Sequence, residues 1–302
     1  IDEAAAEGAP IIHDEPIEYA VGAPANLAEQ NSQAAQRGEK MIINFPIGCR
    51  PRENIAAGVH GKLGDPVAGF AEADVVLERT YRSSQVQQCP NEPHICHTYM
   101  DGDRLIVRAS TQVPWHIRRH VSRIVGMKQN KVHVIKQRVG GGFGSKQDML
   151  LEEVCAWATC VTGRSVTFRY TREEEFISCS SRHVAQVTVK LGAKKDGTIT
   201  AIDMDFRANT GPYGNHSLTV PCNGPGLSLP LYPCDNVNFK VTTYYSNICP
   251  TGAYQGYGAP KGNFALTMAI SELAEKLGLD QLEMIEKNRV QEGQVLKIMG
   301  AI

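Results

Sequence analysis

The chain has 302 residues, 42% of them apolar and 21% charged, the make-up of an ordinary soluble globular protein with enough material for a sizeable core. Lysine and arginine number 31 against 32 acidic residues; the net charge of −1 leaves no basic footprint for a nucleic acid and no polybasic anchor for a membrane. No apolar run approaches the roughly 18 residues that a spanning helix needs.

Nine cysteines, an odd number without a C-x-x-C pair, read as free thiols in a reducing cytoplasm. The chain opens on Ile1-Asp2-Glu3, with neither Met nor the pattern of a signal peptide, as though in the middle of a longer protein.

Residues 1–66 are rich in Ala, Glu, Pro and Gly and weakly periodic, with extended or loop chemistry around Pro16 and from Pro46 to Pro51. They read as an irregular lead-in wrapping over a neighbour. Strand chemistry begins at Ala73–Tyr81, and a cleaner strand at Arg104–Ser110 follows the Asp101-Gly102 turn. Pro114 opens a predicted helix to Met127, and Lys131–Val139 is the next strand. A helix over Asp148–Val161 closed by Gly163 and a strand over Ser165–Tyr170 come next. His183–Ala193 and Thr198–Arg207 flank Lys195-Asp196-Gly197, a strong hairpin signal. After a strand at Asn236–Tyr245 the chain turns helical, with Asn263 as cap of a helix to Leu277 and Asp280 with Glu283 as a capping box for the last. Strands and helices mix without strict alternation, which predicts an α+β fold of mixed sheets with packed helices.

Val139-Gly140-Gly141-Gly142-Phe143-Gly144-Ser145-Lys146 is the sharpest local feature. Lying between a predicted strand and helix, its backbone N–H groups suit an anion or a close-approaching ligand. It is neither familiar phosphate loop. A dinucleotide fingerprint read from Gly140 needs Gly at Ser145, and a Walker loop needs G-K-[ST] where Gly144-Ser145-Lys146-Gln147 stands.

Other clusters read blandly. His116 and His120 at i, i+4 lack the Glu of a zinc protease and read as solvated helix histidines. Cys89, His94, Cys96 and His97 are spaced too irregularly for a zinc site, and Glu173-Glu174-Glu175 reads as a charged helix start. G-x-S-x-G and the deaminase zinc signature are both absent.

Three separated motifs, Ala109-Ser110-Thr111-Gln112, Gly140–Lys146 and Gly252-Ala253-Tyr254-Gln255-Gly256-Tyr257-Gly258-Ala259-Pro260, appear in an order and at separations that resemble the molybdenum hydroxylases, the xanthine dehydrogenase and aldehyde oxidase family. Asn91-Glu92-Pro93, Ser181-Arg182-His183 and Asp196-Gly197-Thr198-Ile199 support it, and the likeness covers residues 67–302. The resemblance implies a first molybdenum–pterin-binding domain over 67–302, with residues 1–66 following a small α/β domain that the chain lacks. It implies that Gln112 hydrogen-bonds near an oxygen of the molybdenum group, and that Phe143 and Gly144 offer it backbone donors. Gly141 and Gly142 admit the cofactor, Ala253, Tyr254 and Gln255 line the far side, and Tyr257 stacks on a planar substrate. No side-chain metal ligand is expected, because a pterin dithiolene holds the metal. The chemistry implied is hydroxylation of an electron-poor carbon with water as oxygen source, electrons leaving through separate redox centres.

Gln147 stands where purine-hydroxylating relatives place Glu, Gln255 where many place Arg, and Pro221–Leu231 carries no Arg or Lys. A neutral amide both donates and accepts, so Gln147 suits a ring nitrogen or a carboxylate. These departures favour an N-heteroaromatic other than xanthine, with nicotinate the first choice. The family's general-base Glu lies in a second half, beyond Ile302. The resemblance therefore implies a second molybdopterin subunit carrying that Glu, as in the split subunits of bacterial nicotinate dehydrogenases. It implies too a molybdopterin dinucleotide of the cytosine form, and 2Fe-2S clusters and FAD on iron–sulfur and flavin subunits, since this chain has no suitable Cys cluster. An aldehyde-oxidising relative and a metal-free scaffolding module are the alternatives.

Overall fold

The computed structural model describes residues 1–14 and 48–300. In chain order the elements are α1 (Asp2–Ala5), β1 (Ile55–Leu63), α2 (Pro66–Ala71), β2 (Val75–Ser83), β3 (Ile95–Asp101), β4 (Arg104–Ala109), α3 (Pro114–Ile124), β5 (Val132–Lys136), α4 (Glu152–Thr162), β6 (Val166–Arg169) and α5 (Arg172–Ser178). There follow β7 (Ser181–Arg182), β8 (Val184–Ala193), β9 (Ile199–Gly211), α6 (Thr219–Ser228), β10 (Val237–Tyr245), β11 (Thr251–Gly252), α7 (Ala259–Leu277) and α8 (Gln281–Asn288). The fold is α+β with mixed sheets, as expected.

Alternation builds the larger sheet, ordered β1-β10-β9-β8-β2. Along β8, Ala185, Val187, Val189 and Leu191 point one way and are buried, because successive strand side chains face opposite sides. Their partner β9 runs antiparallel across the predicted Asp196-Gly197 turn and adds Ile202, Met204 and Phe206. Helix α7 covers this face with Ala265, Leu266, Ala269, Ile270, Leu273 and Ala274, the one-sided spacing of an amphipathic helix. The smaller sheet, β5-β4-β3-β6, has its own core: Leu105, Val107 and Val132 pack with Ile117 and Val121 of α3 and Cys155 and Ala156 of α4. A two-stranded ribbon, β7–β11, lies between the chain segments of both, with Thr251 bonded to Asn209 O at 3.0 Å.

β4 and β5 are parallel neighbours, Ala109 opposite Lys136, so the chain leaves both carboxyl ends side by side. One exit leads to Gln112 and the other into the glycine loop. Carboxyl ends of parallel strands are where α/β sheets commonly hold ligands.

Several expectations need correction. The lead-in is not irregular throughout: residues 55–63 form β1, the edge strand antiparallel to β10, because Ile55, Ala56 and Ala57 bury against the sheet. Most of the remaining lead-in, from 15 to 47, lies outside the described residues. Helix α4 starts at Glu152 and not at Asp148, because 145–147 form a 3-10 turn and Asp148 is extended. The glycine loop therefore feeds a tight turn and no helix N-terminus. Asn263 lies inside α7, which starts four residues earlier behind Gly258 with Pro260 in its first turn. Helix α6 forms despite Pro221, Gly224, Pro225 and Gly226, all poor helix formers. Close packing on α7 compensates: a Cβ on Gly262 would fall 2.1 Å from Gly224 O.

Candidate functional site

The glycine loop is pinned at both ends by one ion pair with a buried lysine. Lys146 is fully buried, and its Nζ donates to Glu92 Oε2 at 2.6 Å, to Glu92 O at 2.8 Å and to Ser110 Oγ at 3.0 Å. The same Glu92 carboxylate accepts from the Gly140 N–H at 2.7 Å. Burial pushes the Glu92 carboxyl up, but bonds from Lys146, Ser110 and Gly140 outweigh it and hold the group below its ordinary range.

Gln112 reaches this loop from β4. Its N–H donates to Lys146 O at 2.8 Å, and its Oε1 accepts from the Gly144 N–H at 3.0 Å. That bond fixes the amide orientation, and among the described residues no acceptor meets Gln112 Nε2. A side chain on Gly142 would strike Gln112, its Cβ 2.5 Å from Oε1.

The second glycine–aromatic loop closes the other side. Gln255 N donates to Phe143 O at 2.8 Å, and Gly144, at φ +108°, lies so close that a Cβ would fall 2.4 Å from Ala253 O. Ala253 O accepts from Gln88 Nε2 at 2.7 Å. The Arg182 guanidinium sits 3.8 Å from the Tyr254 ring centroid and donates to Gln255 O at 2.8 Å. The fold thus brings together Gln112, Gly141–Gly144 and Ala253–Gln255, distant in sequence. Gln147 closes the turn with its N–H on Gly144 O at 3.0 Å, and Tyr257 N bonds Tyr254 O at 2.7 Å. One detail differs from expectation. Gly144 has spent its N–H on Gln112, and the Phe143 N–H is the one without a protein acceptor among the described residues.

Sequence reasoning missed a brace beneath the loop. Glu175, in the run read as a charged helix start, is fully buried on α5. Its Oε1 meets His94 Nδ1 at 2.8 Å and the His94 N–H, while Cys179 Sγ donates to Oε2 at 3.1 Å. His94 Nε2 then holds Ser145 O at 3.2 Å. Burial raises the Glu175 carboxyl, yet the His94 and Cys179 bonds prevail and hold it at about 2; burial and Glu175 push the Cys179 thiol up. The donor atoms of His94, Glu175 and Cys179 lie within 4.8 Å of one another. Burial of one Glu among three was the only signal, and it has no one-dimensional signature. The other zinc candidates do not assemble: His97 bonds Thr167 at 2.7 Å, Cys96 is buried in the smaller core and Cys89 is exposed. His116 and His120 sit exposed on α3.

The two glycine loops meet beside a Gln112 amide that is bound through its oxygen alone among the described residues. The chain belongs to the molybdopterin cofactor-binding domain family, which matches residues 49–289. It is 77% identical over 302 residues to the probable hypoxanthine oxidase XdhD of Escherichia coli K12, a match covering all of this chain and 32% of that protein. It is 31% identical over 250 residues to the nicotinate dehydrogenase large molybdopterin subunit of Eubacterium barkeri, covering 80% of this chain and 57% of the relative. Among solved structures, the aldehyde oxidoreductase of Desulfovibrio gigas superposes with a TM-score of 0.75 at 27% identity, over 89% of this chain and 31% of that one. The chain thus spans about a third of the length of the E. coli relative.

Proposed function

We propose that this chain is the molybdopterin-binding part of a multi-subunit molybdenum hydroxylase that oxidises an electron-poor carbon of an N-heteroaromatic compound, water supplying the oxygen. The observation that carries this reading is that Gln112, bonded through Oε1 to the Gly144 N–H, and the adjacent Phe143 N–H each keep a donor without an acceptor among the described residues, beside loops that have no room for a Cβ at Gly142 or Gly144. Gln112, Gly141–Gly144 and Ala253–Gln255 present backbone and amide donors and no thiolate or carboxylate. That set suits a group bringing its own sulfur ligands. When bound, the molybdenum–pterin group supplies an acidified water and a two-electron sink. Gln112 and Phe143 orient it by donating hydrogen bonds, and Gln147 and Tyr257 position the planar substrate.

The 77% likeness to a protein named as a hypoxanthine oxidase favours hypoxanthine as substrate. Nicotinate, the choice from Gln147 and Gln255, stays as the second reading on the likeness to the nicotinate dehydrogenase subunit. The reading further takes residues 67–302, with β1, as the first of two cofactor-binding halves and assigns the general-base Glu to the second. It includes a cytosine dinucleotide form of the cofactor, and 2Fe-2S and FAD centres on partner subunits. All nine cysteines are free thiols, which supports the cytoplasm. Among the described residues no helix is long and apolar enough to cross a membrane.

The test is to purify the full-length protein with whatever chains travel with it. Molybdenum and pterin are quantified, and hypoxanthine, nicotinate and benzaldehyde turnover is followed with a dye acceptor. Stoichiometric molybdenum with heterocycle turnover is expected. Absence of both metal and pterin makes the chain a scaffolding module, and turnover of benzaldehyde alone makes it an aldehyde oxidase.

A further inference from the structure

At the second glycine–aromatic loop lies a chain of three titratable side chains, of which the reading above uses Tyr257 alone. Tyr257 Oη meets His216 Nδ1 in a hydrogen bond and Thr219 Oγ1 at 2.9 Å. The two rings stand edge to face, centroids 5.5 Å apart and 89° between planes. On the far side of the imidazole, His216 Nε2 lies 3.6 Å from Asp148 Oδ1, and the other Asp148 oxygen is held by Ser180 Oγ. The Asp148 and His216 side chains are 11% and 24% exposed, so water screens the pair weakly. Asp148 directly follows Gln147 in the chain.

A second, independent observation marks the same place. His216 and Tyr257 both hold positive φ, 51° and 43°, without being glycine, and so does Phe143 at 53°. Each such residue is strained and persists where its surroundings over-determine it, most often at functional sites. Here the strain of the loops places an imidazole against a phenol.

Resting on the N-heteroaromatic reading, but with the Tyr257 hydroxyl at the substrate edge in place of its ring stacked on the substrate face, we propose that Asp148, His216 and Tyr257 form a proton relay that ends at the substrate and protonates its ring nitrogen. In its protonated form His216, with Asp148 beside its Nε2, gives its Nδ1 proton to Tyr257 Oη as the Tyr257 hydroxyl proton moves to the nitrogen. The nitrogen gains one proton, His216 loses one, Tyr257 gives one and receives one, and no electrons move. Solvent reprotonates His216 between turnovers.

The chemistry calls for such an acid. Nucleophilic attack on a carbon beside a ring nitrogen builds negative charge on that nitrogen, and a positioned acid is worth about 10²–10⁴ in rate. The Gln147 amide donates hydrogen bonds but is too weak an acid to transfer a proton, and 221–231 contains no Lys or Arg. Burial raises the Tyr257 phenol, the Thr219 bond opposes this and the Asp148 charge adds to it; the net rise keeps the hydroxyl protonated, a conduit and not a standing base. Among the described residues His116 on α3 and His183 after β7 also sense His216, both neighbours of like or no charge.

The experiment uses the full-length protein with its partner chains, as wild type, Tyr257→Phe, His216→Gln and the double variant. On metal-free protein, calorimetry compares quinoline with naphthalene, which differ by one ring nitrogen. Wild type should prefer quinoline about 10-fold, and Tyr257→Phe should abolish the preference. On loaded protein, the ratio of hypoxanthine to benzaldehyde kcat should fall about 100-fold, because an aldehyde has no ring nitrogen to protonate. KM should change under three-fold, and the double variant should lose no more than either single one. An intact quinoline preference in Tyr257→Phe, an equal loss on both substrates, or multiplying losses overturns the relay. If wild type holds no molybdenum and turns over neither substrate, the functional reading fails while the binding comparison still decides the relay.

Discussion

The N–H of Gln255 donates to the carbonyl of Phe143 at 2.8 Å, and this one bond stitches the two glycine loops into a single site. The loops leave different sheets and carry separate functions in the proposed chemistry. Their relative position is set by backbone, so substitutions that add bulk at the seam should disable both.

Gly144→Ala tests the seam most directly. The new Cβ would lie 2.4 Å from Ala253 O, on a residue whose φ of +108° already suits glycine alone. Molybdenum content should fall at least 10-fold and stability by about 1–3 kcal/mol. A fully loaded variant, measured by metal analysis, would contradict the assigned close approach.

Lys146→Met removes the cation that holds both ends of the glycine loop. Glu92 then keeps Gly140 and Ser110 but loses its charge partner, and because Glu92 is a third exposed the expected loss is about 2–3 kcal/mol, below that of a fully buried pair. Thermal unfolding measures this. Adding Glu92→Gln should recover part of the loss, which a purely steric account of Lys146 does not predict.

Glu175 gives a pH prediction with a defined sign. Its carboxyl is held at about 2 in the folded protein, below its unfolded value near 4.5, so its stabilisation is complete above that unfolded value and is lost as pH falls toward 2. The loss is on the order of 3 kcal/mol. Glu175→Gln should lower the melting temperature at pH 7 and flatten its fall between pH 4.5 and 2. A wild-type curve with the same slope as the variant's over that window would show that the brace carries no linkage.

Lys261 behaves in the opposite sense. Burial, then the charge of Arg182, pulls its ammonium down to about 7, and its Nζ has no hydrogen-bond partner among the described residues. The folded state binds this proton less tightly than the unfolded state, so the penalty is full below pH 7 and fades toward pH 10. Lys261→Met should therefore stabilise at pH 6, by an amount that shrinks as pH rises. Equal melting temperatures for the two proteins at pH 6 would contradict this.

Gln147→Glu tests specificity. A carboxylate at the end of the glycine loop restores the residue expected of purine-hydroxylating relatives, and xanthine turnover should rise about 10-fold relative to nicotinate. Initial rates on the two substrates decide it, and an unchanged ratio would remove Gln147 from the substrate slot.

Local chemistry made much of this protein legible in one dimension. The Asp196-Gly197 hairpin, the Gly278 stop of α7 and the strand at β4 follow from turn residues and alternation over a few neighbouring positions. The three glycine and glutamine motifs were legible for the same reason: glycine is retained where backbone must approach closely, and that need is written at the residue itself. The misreadings share the opposite origin. Helix α6 contradicts its own propensities because Gly224 packs on Gly262, a contact between helices that no local pattern reports. Glu175 looked like surface charge until α5 turned it toward His94. Asp148, read as a helix start, and His216, unremarked, come together with Tyr257 only through the tertiary fold, since 68 and 41 residues separate successive members of the three. The sequence by itself determined which residues are able to donate, turn or stay uncharged. The tertiary structure alone decided which of them meet, because hydrogen bonds act over about 3 Å of space and take no account of distance along the chain.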